Sequence, residues 1–300
     1  VGLIRTLALA VLALGAGTAA EGHRFQSKRI DLYWYDLRQT VTWQSADDKL
    51  RYDTRLRWQF SLTPLTVAPE RAEVEARILQ VTAEHSGPGA THAVASNGPD
   101  GEPIGADDPL LGDLLALVDV PLILSVDPRT GVVDAVDGGA AIVAALGRRH
   151  PGPPGEPSPI VAAAERSYSS QRLARLWSRL LMLPQDGEQR VTLAAPLRGT
   201  AVRRWEGDRY SLSLPPGDDA AAPRAVLASA PNAIELVLED LTGNGGVRLR
   251  DGILRHADGS LVARFSGTAM TQEVTQEHRL RWELGRIELA PDAAESSGDE

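Results

Sequence analysis

Six histidines (His23, His85, His92, His150, His256 and His278) and no cysteine set the first limits on the chemistry of this chain. The histidines fall in none of the short spacings, such as HExxH, that place two imidazoles on one metal. The absence of cysteine removes thiolate nucleophiles, disulfides and Cys-based zinc sites together. The chain has no G-x-S-x-G elbow, no S-x-x-K and no P-loop. Asp100, Glu102, Asp107 and Asp108 are hard oxygen donors suited to calcium. They lack EF-hand order and are interrupted by Pro99 and Pro103, so an acidic loop is the simpler reading. His85 and His92 flank a Gly/Pro-rich stretch and are weak metal candidates for the same reason.

Carboxylate pairs such as Glu73/Glu75 and Glu273/Glu277 have the chemistry of a hydrolytic acid/base pair. With 40 acidic residues available, spacing alone does not select one. Arg51, Arg55, Arg57, Arg279 and Arg281 supply cross-strand partners that account for such acids as salt pairs. Four of these arginines, Arg55, Arg57, Arg279 and Arg281, form the candidate ligand face, since a row of guanidinium groups on one sheet face can hold an anionic head group. Six tryptophans suggest stacking on carbohydrate, but Trp58 and Trp282 alternate in phase with Leu and Phe, which reads as core packing. No catalytic residue, metal ligand or cofactor site is assigned.

The elements that position these residues are mostly strands. Residues 49–63 alternate apolar (Leu50, Tyr52, Leu56, Trp58, Phe60, Leu62) and polar (Arg51, Asp53, Arg55, Arg57, Gln59, Ser61) for a full strand length. A period of two means one buried and one wet face. With 29–44 and 72–84, this predicts an antiparallel meander. Residues 86–107 read as a long mobile loop. Asp107-Asp108-Pro109 predicts the start of a short helix, followed by strands at 120–126 and 132–136 around the turn Asp127-Pro128-Arg129-Thr130-Gly131, and a small helix over 140–147. The proline-rich stretch 148–159 reads as a linker, and 160–183 as the longest helix, stopped by Pro184. Strands are predicted at 189–195, 200–206, 208–214, 225–230, 233–241, 246–256 and 260–289, with hairpin turns at 240–246 and 256–259. Arg-Leu-Arg-Trp occurs at 55–58 and again at 279–282, on two matched strands. A coincidence of composition explains this more simply than a duplication.

The ends of the chain suggest its compartment. Arg5, the apolar run 7–14 and the small-residue stretch ending Thr18-Ala19-Ala20 have the three parts of a secretory signal peptide. Cleavage is expected before Glu21, and Val1 is read as an alternative bacterial start codon. The expectation is an exported protein, periplasmic or extracellular, with no membrane span after cleavage. Residues 290–300 read as a disordered acidic tail. A net charge of −9 argues against nucleic acid as a partner.

The early strand pair, LLGDLLALVDVPLILSVDPRTGVVDAVDGG, RLWSRLLMLP and GILRHADGSLVARFSGTAMTQ occur in an order that resembles an uncharacterised exported bacterial family defined only as a domain of unknown function. The architecture also resembles, distantly, the lipoprotein-carrier half-barrel, which holds acyl chains. The fold class expected is α+β: a large curved antiparallel β-sheet with two or three helices packed on one face, as a single domain over 21–289. The family has no assigned activity; the expected export, the long one-sided strands and the absence of catalytic motifs point to a non-catalytic envelope protein that binds an apolar or amphipathic, lipid-like ligand, or a partner protein, in the sheet's concavity. A hydrolase with an unrecognised carboxylate pair and a structural interaction module are the alternatives.

Overall fold

A computed structural model describes residues 25, 29–153, 156, 158–185, 187–192, 197–198, 200–215, 224–229, 232–269 and 272–288. The expected signal peptide (1–20) and acidic tail (290–300) lie outside the described residues. The alternating segments form long strands: β1 Asp31–Gln44, β2 Lys49–Val67, β3 Ala72–Gly87 and β4 Ala90–Ala95, then β5 Pro121–Val126 and β6 Val133–Asp137. The C-terminal part adds β7 Gly187–Thr192, β8 Leu197–Arg198, β9 Thr200–Glu206, β10 Arg209–Ser213, β11 Arg224–Ser229, β12 Asn232–Arg250, β13 Ile253–Ala269 and β14 Gln272–Ile287. All fourteen belong to one antiparallel sheet, whose main path runs β6-β5-β3-β2-β1-β14-β13-β12-β10-β9-β7. The fold is therefore mostly β.

β1 lies at the centre, with β2 on one side and β14 on the other. This puts the two Arg-Leu-Arg-Trp copies on either flank of one strand. Trp58 stands opposite Tyr35 and Trp282 opposite Leu37, a two-residue offset along β1. Both tryptophans are on the buried face, 5% and 8% exposed, with the Tyr35 ring between them at 5.8 Å and 6.5 Å.

Three α-helices join the same core: α1 Gly139–Arg149, α2 Pro159–Ser167 and α3 Ser170–Leu181. The strongly amphipathic α3 turns Leu173, Trp177, Leu180 and Leu181 inward, and the Trp177 and Phe60 rings pack nearly perpendicular with centroids 5.3 Å apart. The Ser178 hydroxyl accepts from the Val133 amide and donates to the Val133 carbonyl, and Ser170 Oγ accepts from the Val136 amide. These bonds fix α3 to the edge strand β6. Gly131, at φ +72°, closes the turn before β6, and a Cβ there would lie 1.8 Å from the Leu181 carbonyl oxygen.

Several elements differ from the sequence reading. The expected loop 86–107 contains β4, paired with β3, because 90–95 finds a free strand edge that no local pattern reveals. Asp108 accepts from the Leu110 and Leu111 amides in the turn before the helix rather than capping it; the helix is a short 3-10 helix, Gly112–Leu117, that starts after Leu111 without a side-chain cap. The predicted helix 160–183 is two helices. Ser169 is extended with its hydroxyl donating to the Arg166 carbonyl, and Ser170 turns its hydroxyl to β6, so the first helix ends before them; Ser158 caps that helix by accepting from the Val161 amide.

The turns expected at 240–246 and 256–259 lie inside β12 and β13; the real turn is Asp251-Gly252, both at positive φ, as a two-residue hairpin turn requires. Glycine at 245 and 259 serves close packing instead. A Cβ on Gly245 would lie 2.6 Å from the Tyr210 ring, and one on Gly259 2.4 Å from the Trp282 indole nitrogen.

Candidate functional site

The four arginines chosen from the sequence all lie on the sheet face opposite the two tryptophans, because neighbouring side chains on a strand alternate. Arg55 and Arg57 both donate to Asp36, Arg55 with Nη2 at 2.5 Å and Arg57 with Nε at 3.4 Å. Arg38, which the sequence reading passed over, is directly opposite Arg55 on one side and Arg281 on the other, and it also reaches Asp36. Burial would raise the Asp36 pKa, yet the Arg55 and Arg38 guanidinium groups together hold it below the usual carboxylate range. Arg279 is occupied by Glu277, which also accepts from Arg264. This face is largely a paired ionic lattice exposed to solvent.

The candidate carboxylate pairs join the same kind of lattice. Glu75 pairs with Arg77, Glu73 accepts from Thr66, and Glu277 holds the two arginines already named. His85 and His92 stand opposite each other across the β3–β4 ladder, with ring centroids 6.4 Å apart and the rings tilted by 36°. His85 Nδ1 is 2.7 Å from the Thr54 hydroxyl, and His92 Nδ1 is 2.8 Å from Asp108. Burial lowers the His85 pKa, and His92 adds to the shift. Among the described residues no three His, Asp or Glu side chains are grouped to hold a metal ion.

The interior holds a site that sequence reading missed. Between α3 and strands β1, β7, β9, β10 and β14 lies a cavity of about 50 Å³, walled chiefly by apolar side chains and lined by two arginines, Arg179 and Arg203. Arg203 is 3% exposed, beside Ala201 and Trp205 on the inward face of β9, with its guanidinium 5.7 Å from the centre of the Trp205 ring. Its Nη1 donates to the Met182 sulfur and its Nη2 to Gln189 Oε1, both uncharged. Among the described residues, no carboxylate lies within ion-pair distance of Arg203, and its Nε meets no acceptor.

Gln189 passes the polar chain on, donating to Oε1 of Gln185, whose own Nε2 is buried without an acceptor among the described residues. Burial lowers the pKa of both Arg203 and Arg179 to about 10, so both remain charged at neutral pH. Tyr210 faces the same space. Its hydroxyl accepts from the Trp282 indole, and burial raises its pKa to about 12. The site is thus rich in donors and poor in acceptors. A buried cation beside neutral groups is costly. In the sequence, Arg203 was hidden among 31 basic residues, as one of two adjacent arginines on a strand.

No protein-family model matches the chain, and no curated protein matches it. Among solved structures, DynF from the dynemicin biosynthesis pathway of Micromonospora chersina aligns over 93% of this chain and 89% of its own, at 8% identity and a TM-score of 0.23. Pseudomonas aeruginosa OccK5 (OpdH) aligns over 91% and 100%, at 7% identity and a TM-score of 0.28. The translocator domain of the autotransporter NalP from Neisseria meningitidis aligns over 91% and 90%, at 6% identity and a TM-score of 0.20. Likenesses this faint carry no argument about what the chain does.

Proposed function

We propose that this is a non-catalytic exported protein that binds an amphipathic, lipid-like ligand between α3 and the inward face of its sheet. The observation that supports this reading is the cavity itself, with apolar walls from Leu176, Leu180, Val191 and Leu212 and a few polar side chains, Tyr35, Arg179, Arg203 and Tyr210, in the lining. Apolar concavities with a few convergent polar groups are where small ligands bind. The cavity is small, so an alkyl chain needs α3 to yield. Leu176 and Leu180 lie one turn apart on that helix, and a small displacement of it widens the space along its axis. Periplasmic or extracellular placement follows the signal-like start of the sequence and belongs to the same proposal.

Decanol, a neutral alkyl probe, tests the reading without involving charge. Titration into ¹⁵N-labelled protein is expected to shift amide resonances of 176–182, 191 and 212. Absence of shifts there, or shifts confined to the outer sheet face, would remove the reading.

A further inference from the structure

We propose that Arg203 is the anchor for the head group of a monocarboxylate ligand, so that the amphipath this protein binds is an alkyl carboxylate. The inference rests on the binding reading above and specifies the chemistry of its polar end. Three observations converge on it. Arg203 is buried inside the lining of an apolar cavity rather than at a surface, where an arginine would meet water. Its two terminal nitrogens engage a thioether and an amide, neither of which neutralises it, and its Nε has no acceptor among the described residues. A second buried donor, Gln185 Nε2, lies in the same side-chain chain through Gln189.

Buried donors without acceptors among the described residues call for a ligand that brings acceptors and negative charge. A carboxylate supplies two coplanar oxygens, matching the planar guanidinium edge that Nε shares with a terminal nitrogen. A single negative charge suits Arg203 itself, and a planar three-atom head suits a cavity of about 50 Å³ better than a tetrahedral phosphate does. The Trp205 ring, its centre 5.7 Å from the Arg203 guanidinium carbon, favours the cation at this position. The alkyl part then runs along Leu176, Leu180 and Leu212.

Four decyl probes with different heads test this in the intact protein: decanoate, decanol, decyl phosphate and decyltrimethylammonium. Binding is read from tryptophan fluorescence, since Trp205 touches Arg203 and Trp282 lines the cavity. Decanoate is expected to bind at least about tenfold tighter than decanol, and the cation not measurably, because charge-assisted bonds formed away from water are the strong ones. Arg203→Met is expected to erase the difference between decanoate and decanol while decanol binding persists. Arg203→Lys, which keeps the charge and loses the planar edge, is expected to retain part of the preference.

Equal binding of decanoate and decanol in the unsubstituted protein would overturn the inference and leave the broader reading standing. A preference for decyl phosphate would overturn the carboxylate assignment. An undiminished carboxylate preference in folded Arg203→Met would overturn the role of Arg203. Failure of every probe to bind would instead reject the ligand-binding reading itself. The comparison of heads in the unsubstituted protein needs no variant, so it stands even if a substitution prevents folding.

Discussion

Trp58 and Arg57 are neighbours in sequence and opposites in environment. The indole of Trp58 is packed against Tyr35 on the buried face, whereas Arg57 reaches Asp36 across solvent-exposed backbone. Trp58→Ala should therefore cost about 3–5 kcal/mol through the cavity it leaves. Arg57→Ala should cost less than about 1 kcal/mol, since exposed ion pairs contribute little. Urea melts of both variants measure the two values. A second residue-level consequence concerns pH. His278 is largely buried, beside Gln39 and against the Phe265 ring, and burial depresses its pKa to about 4. The unfolded chain binds a proton near pH 6.5 while the folded chain declines it until about pH 4. Stability from this group is thus complete above pH 6.5 and is lost as pH falls through that window. The loss should approach about 2–3 kcal/mol. Urea melts at pH 7 and pH 4 should show His278→Asn losing less stability than the unsubstituted protein by that amount. Equal losses would mean that His278 is protonated normally in the folded state.

The elements are held in place by contacts that short patterns do not contain. Gly131 has a positive φ and faces the end of α3 with no room for a Cβ. Gly147, inside α1, has its nearest neighbour at 3.7 Å, an ordinary contact. The same substitution should act oppositely at the two sites. Gly147→Ala should stabilise by about 0.5–1 kcal/mol, the helix-interior preference for alanine. Gly131→Ala should destabilise by more than about 2 kcal/mol, from backbone strain and the displaced helix end. Thermal melts with both variants decide this, and a destabilised Gly147→Ala would show that α1 packs more tightly than the structure has it. Ser178 is the matching side-chain tie. Ser178→Ala leaves the buried Val133 amide without its acceptor and should cost about 1–3 kcal/mol.

At the scale of the molecule, β14 pairs with β1 across some of the largest sequence separations in the chain, and with β13 on its other edge. The N-terminal strands β1–β6 and the C-terminal strands β7–β13 therefore meet through it. A chain ending at residue 270 should lose cooperative unfolding, because both β1 and β13 would present long unpaired edges. Circular dichroism during urea titration reads this directly, and a sharp transition in the shortened chain would show that the two parts are independent. So many non-local pairings also predict slow folding, in the range of milliseconds to seconds or longer.

Periodicity was enough to determine the long strand β2, though not the extent of β12 and β13. Residues 49–63 alternate so regularly that the buried row Leu56, Trp58, Phe60 and Leu62, and the outward side of Arg55 and Arg57, follow from the two-residue repeat alone. Composition likewise removed cysteine chemistry, since the chain has no cysteine. Tertiary structure decided what depends on distant partners. The β4 strand formed inside an expected loop because β3 offered an edge. The glycines at 245 and 259 were drawn into strands rather than turns because Tyr210 and Trp282 fill the space above them. The candidate site belongs to this second kind. Arg203 and Arg204 are adjacent and chemically identical, and only the pleat of β9, seated against α3 and the Trp205 ring, sends one into the core and the other out to Glu188. A local pattern records what each residue is, whereas burial and the lack of a partner are properties of everything folded around it.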